Sequence, residues 1–80
     1  MKRLPLRVAL MEAERTLADA GVASPRADAE WLAVHVLGVD RGRLAAVPLV
    51  DADVVEALQT LVARRATREP LQHILGTAVL

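Results

Sequence analysis

Eighty residues make one domain, able to bury roughly 60–65% of its unfolded surface and so to fold alone with a modest margin. Ten basic and ten acidic side chains cancel, leaving no basic surplus for indiscriminate binding to nucleic acid or anionic membrane. There is no cysteine, which removes disulfides, thiol nucleophiles and cysteine-based zinc sites, and no apolar run reaches the ~20 residues of a membrane span.

Leu6, Leu10, Ala13, Leu17 and Ala20 recur at steps of four and three, an apolar stripe that predicts a first helix over residues 5–20. Pro5 suits its first helical position, and Gly21 offers the left-handed stop. Arg15 and Asp19 have the spacing of an i,i+4 ion pair. The second helix has Ser24 as cap, Pro25 as first helical residue and Gly38 as stop. Asp28 and Glu30 lie near the positive end of its dipole, and Ala27 rules out a capping box. Trp31, the one aromatic residue, belongs with Leu32, Ala33, Val34, Val36 and Leu37 to a segment apolar on nearly every side, the pattern of a central helix.

Asp40 can cap a short third helix over residues 41–47, which Gly42 weakens and Pro48 ends. Asp51 or Asp53 caps a fourth, reaching about residue 68, with Val54, Val55, Leu58, Leu61 and Val62 as its buried face. Its acids stand at the front and Arg64, Arg65 and Arg68 at the back, matching the dipole at both ends. Pro70 opens a fifth helix that closes at Gly76, with Leu71, Ile74 and Leu75 along its apolar edge. Residues 77–80 are β-prone and carry no helix signal. The expected class is all-α: a compact bundle of four to five short helices with a truncated β-prone stub at the C-terminus.

Catalytic, cofactor-binding and metal-ligating residues are all expected to be none. Gly21, Gly38, Gly42 and Gly76 are isolated, so no glycine-rich phosphate or nucleotide loop exists. Asp28 and His35 share a helix face, but two turns set them ~10.5 Å apart, too far for an acid–base pair. His35 reads instead as a partly buried polar residue hydrogen-bonded locally. His35 and His73, on different helices, do not make a metal site without more ligands. Arg64, Arg65 and Arg68 read equally as a partner-facing cluster or as solvated complements of a helix terminus. Gln72 and His73, a polar pair on a very short helix, read either as a hydrogen-bonded hinge to a following domain or as ordinary exposed polarity.

Several ordered stretches carry a resemblance: residues 20–30, residues 32–38 with His35, Asp40-Arg41, and Arg64-Arg65 through Arg68-Glu69-Pro70-Leu71-Gln72-His73-Ile74-Leu75-Gly76. Together they resemble the N-terminal domain of the peptide chain release factor glutamine methyltransferases, the HemK family. The resemblance implies an S-adenosylmethionine-dependent parent enzyme that methylates the glutamine amide of the Gly-Gly-Gln motif in bacterial class I release factors. It implies a Rossmann-like catalytic domain with an Asn-Pro-Pro-Tyr motif, and that motif does not occur in this sequence. Residues 1–76 would then be the substrate-recognition domain, and residues 77–80 the start of a linker or hairpin to the absent catalytic domain. The expected partners are release factors and that catalytic domain, with neither membrane nor direct nucleic-acid contact, and the expected location is cytoplasmic. His73 departs from the family, which often has Tyr there, as does Leu80, where an aromatic is common. The rival readings are a helix-turn-helix-like nucleic-acid module using Arg41 and Arg43, and an oligomerisation bundle.

Overall fold

The computed structural model describes residues 2–76 in the order β1 (Arg3–Pro5), α1 (Leu6–Asp19), α2 (Pro25–Leu37), α3 (Arg41–Leu44), β2 (Leu49–Asp51), α4 (Ala52–Ala66) and α5 (Leu71–Gly76). The all-α class holds, with five helices packed around one aliphatic core and a small ribbon added. The C-terminal stub expected over residues 77–80 lies outside the described residues.

Helix α1 buries Leu6, Ala9, Ala13 and Leu17, the predicted stripe with Ala9 in place of the half-buried Leu10. Its end is a Schellman motif: Val22 N–H donates to the Leu17 carbonyl at 3.0 Å and Gly21 N–H to that of Ala18 at 3.0 Å. Gly21 takes φ +84°, and Val22 and Leu17 are both buried, supplying the hydrophobic contact that accompanies the motif. Pro5 is the cap rather than the first helical residue, because it still belongs to β1. Among the described residues no ion pair joins Arg15 to Asp19. The basic residue precedes the acid, the weaker orientation for this spacing, and both side chains are exposed.

Helix α2 touches α1, α3, α4 and α5, so it is central as expected. It is not buried on every side: Asp28, Ala29, Leu32 and Ala33 face inward, while Trp31 is 41% exposed. Ser24 sits at the cap position without a side-chain cap bond; its carbonyl accepts the Asp28 N–H at 3.0 Å. Gly38 closes the helix in the left-handed conformation at φ +68°.

Helix α3 is one turn, not the predicted 41–47. Residues beyond Leu44 continue only as turns, since Pro48 biases its predecessor toward extended backbone. The chain then straightens into β2, which pairs antiparallel with β1 in the register Arg3↔Asp51, Leu4↔Val50, Pro5↔Leu49. This ribbon was not predicted. Three-residue strands are too short to display an alternating pattern. Arg3 reinforces it, with Nε 3.4 Å from an Asp51 carboxylate oxygen and Nη2 donating to the Leu49 carbonyl at 3.2 Å.

Helix α4 starts after Asp51, which caps by position without a side-chain bond. It buries Leu58 and Val62, with Val54, Val55 and Leu61 half-buried beside them. It stops two residues short of the predicted end. Arg68 adopts φ +76°, and its N–H donates to the Arg65 carbonyl at 3.0 Å. Helix α5 begins at Leu71, after Pro70, and Ile74 inserts into the core at 1% exposure. Among the described residues no helix is long and apolar enough to cross a membrane.

Candidate functional site

Successive residues on a helix point about 100° apart, so Arg64 and Arg65 near the end of α4 must reach different neighbours. Arg64 forks onto Glu69: Nε donates to Oε1 at 3.0 Å and Nη2 to Oε2 at 2.5 Å. Arg65 turns to α2, where Nε donates to Asp28 Oδ2 at 2.9 Å, and its Nη1 donates to the Glu69 carbonyl at 3.2 Å. Arg68 crosses to the end of α1, with Nε donating to the Ala20 carbonyl at 3.2 Å. That carbonyl is one of the groups a helix C-terminus leaves without a partner in the helix, at the negative end of its dipole.

His73 Nδ1 lies 2.7 Å from Glu69 Oε2. An ionised carboxylate only accepts, so Nδ1 carries the proton in this contact. Glu69 is therefore the hub that joins the end of α4 to α5. The hydrogen bond from Arg64 holds its carboxyl below the usual glutamate range against the opposing effect of desolvation, and His73 assists. The same contact raises the pKa of the Arg64 guanidinium, burial opposing.

The folded-state pKa of Glu69 lies below its unfolded value. Its contribution is therefore present above the unfolded carboxylate pKa, about 4.3, and is lost as pH falls through the lower folded value. Protection of the α5 amides, taken relative to their intrinsic exchange rate at each pH, should fade on acidification through that window. In Glu69→Gln the fading should be absent and exchange faster from the start. Identical pH profiles for the two proteins would show that Glu69 does not fasten α5.

The five residues singled out from sequence thus divide. Arg64, Arg65, Arg68 and His73 converge on the α4–α5 junction, each with an intramolecular partner. Gln72 stays exposed and makes no side-chain hydrogen bond among the described residues. Sequence reasoning missed Asp28, which is 8% exposed and bound to Arg65 rather than serving only the dipole of its own helix. It also missed Glu69, whose position beside Pro70 reads as simple helix punctuation. The local hydrogen bond expected for the half-buried His35 does not form among the described residues.

Gly21 is part of this junction. A Cβ built there would stand 2.7 Å from Arg68 Nη2, whereas one built at Gly38 meets nothing within 4 Å. Both positions are left-handed, which costs an alanine about 1–2 kcal/mol. Gly21→Ala should therefore destabilise more than Gly38→Ala, by roughly the worth of one hydrogen bond, about 1 kcal/mol. The excess should vanish in an Arg68→Ala background. Urea melts of the four variants give the comparison, and equal losses at both glycines would remove Arg68 from the account.

Two residues beyond Asp28, about 200° further round α2, Glu30 gathers two arginines. Arg41 donates to Oε1 through Nε at 3.1 Å and Nη2 at 2.7 Å, and Arg26 Nε stands 3.6 Å from Oε2. The Arg41 guanidinium also lies 5.2 Å from the centroid of the Trp31 ring, a cation–π distance. With α3 a single turn and Arg41 held this way, the would-be recognition helix of a helix-turn-helix is missing. Among the described residues no group of three or more His, Asp or Glu side chains could hold a metal ion.

These features define a small helical-bundle domain with a charged clasp fastening its last described helix. Residues 8–76 match the family described as the PrmC N-terminal domain, and the chain belongs to that family. It is 59% identical over 73 residues to a release factor glutamine methyltransferase of Mycolicibacterium smegmatis, covering 91% of this chain and 26% of that protein. A protein of the same name from Streptomyces coelicolor is 57% identical over 67 residues, 84% of this chain and 23% of its own. Another from Rhodospirillum rubrum is 49% identical over 59 residues, 71% and 18% respectively. The chain thus spans about a quarter or less of the length of these curated relatives. No solved structure matches it.

Proposed function

We propose that residues 1–76 are the substrate-recognition domain of a release factor glutamine methyltransferase. In this reading the parent enzyme is cytoplasmic, acts in translation termination, and uses S-adenosylmethionine to methylate the Gly-Gly-Gln glutamine of class I release factors. Residues 77–80 begin the connection to its catalytic domain. One observation carries the reading: release factor glutamine methyltransferases align with nine-tenths of this chain over about a quarter of their own length.

The residues of this chain do not fit the methyl donor. Gly21 and Gly38 serve as helix stops, and the space beside Gly21 is taken by Arg68. Among the described residues no turn brings several backbone N–H groups together beside a glycine-rich cradle, so no step of methyl transfer is assigned here. What the chain supplies is position. Transfer to a side-chain amide inside a folded protein requires two macromolecules in register, and an added contact surface lowers the entropic cost of that alignment. The Glu69 clasp fits the role by fastening α5 to the end of α4.

Calorimetric titration of the chain with a bacterial class I release factor should give saturable one-to-one binding. Incubation with S-adenosylmethionine and release factor should give no methylated glutamine. Absence of binding would remove the recognition role, and detectable turnover would overturn the division of labour.

A further inference from the structure

The chain is neutral overall, yet one groove on it is not. A cleft of about 410 Å³ between α1, α2 and α3 has Leu10, Leu44 and Val47 among its lining residues and Arg7, Arg26 and Arg41 around it, against a single carboxylate, Glu30. A smaller cleft of about 340 Å³ adjoins it, sharing Arg7, Leu10, Arg26 and Glu30, and adds Met11, 62% exposed, and Glu14 to the lining. Arg7 makes no ion pair among the described residues, and the Arg26 side chain is 79% exposed in its loose contact with Glu30. Arg41 is held in place between Glu30 and the exposed face of Trp31. One carboxylate cannot neutralise three guanidinium groups, so the larger cleft keeps positive potential over apolar walls.

From this we infer that the α1–α2–α3 cleft docks an acidic protein segment that carries an aliphatic side chain, the aliphatic group entering between the walls while its carboxylates meet Arg7 and Arg26. Arg and Trp together are the residue types that concentrate binding energy at interfaces. A second copy of this chain would bring the same positive face and is disfavoured. A nucleic-acid backbone would find Glu30 in the middle of its path. That the segment belongs to a release factor rests on the function proposed above; the face and the chemistry it selects do not.

Two probes separate those statements: a labelled synthetic peptide of glutamates with leucines at helical spacing, and a bacterial class I release factor. Each is titrated against the 80-residue chain, with the emission of Trp31, which touches the cleft through Arg41, as a readout. Both should bind, and Arg7→Glu with Arg26→Glu should weaken both at least tenfold with an unchanged thermal melt, since neither arginine anchors the fold. Arg15→Glu, elsewhere on α1, should change neither. If the release factor binds wild type and double variant equally, this inference falls and the proposed function survives. If the peptide binds with the expected sensitivity while the release factor does not bind at all, the cleft stands and its proposed partner falls. A labelled RNA oligonucleotide binding where the peptide does not would overturn the assignment in favour of nucleic acid.

Discussion

Leu32→Ala should lower the free energy of unfolding by about 3–4 kcal/mol, the largest single-residue effect expected in this domain. Leu32 has 0% exposure and lies on α2, the helix that touches four others. Truncation removes the transfer free energy of its isobutyl group and leaves a cavity bounded by several helices, which cannot all close in together. The buried hydrophobic core is built from Leu, Ala, Val and Ile alone, so no bulky ring stands ready to swing into the gap. A domain of this size has a total stability of roughly 4–12 kcal/mol. The loss is therefore a large fraction of the whole and should lower the melting temperature by about 15–25 °C. Met11→Ala, on the exposed side of α1, should stay within about 0.5 kcal/mol. Urea melts decide it: a loss below about 1 kcal/mol at Leu32 would mean that α2 is not the centre of the packing.

Asp28→Ala should cost about 2 kcal/mol, well beyond the usual worth of a surface ion pair. Its carboxylate meets Arg65 at 2.9 Å, with the two side chains only 12% and 20% exposed. Removing the acid leaves a guanidinium in a poorly solvated place with the Glu69 carbonyl as its remaining acceptor among the described residues. Asp28→Asn keeps an acceptor oxygen and should lose roughly half as much. A double-mutant cycle with Arg65→Ala should return a coupling of at least about 1 kcal/mol. Near-additive losses would reduce the pair to two independent surface residues.

The contrast between these two positions shows how much could be read in advance. Leu32 belongs to a plainly apolar run, and its burial follows from the run's length and its glycine and proline limits. Asp28 reads locally as a dipole residue in the first turn of α2, and it is one. Nothing within a turn of it discloses the arginine 37 positions away that holds it. The same holds for Arg64, Arg65 and Arg68. Their types and places were legible, but a solvated cluster, a partner surface and an internal clasp have the same sequence. The β1–β2 ribbon was illegible for another reason: each three-residue strand exists only because the other closes against it.

By itself the amino-acid sequence determined the order of five helices and, to within a few residues, most of their limits, because proline, glycine and apolar spacing act through backbone torsions within one or two turns. Only the tertiary structure decided that Arg64, Arg65 and Arg68 take partners within the chain, that Glu69 gathers α4 and α5, and that Arg7 and the loosely paired Arg26 stand beside an apolar cleft. A charge interacts with whatever the folded chain brings within a few ångströms, and that neighbourhood is set by the packing of all five helices at once.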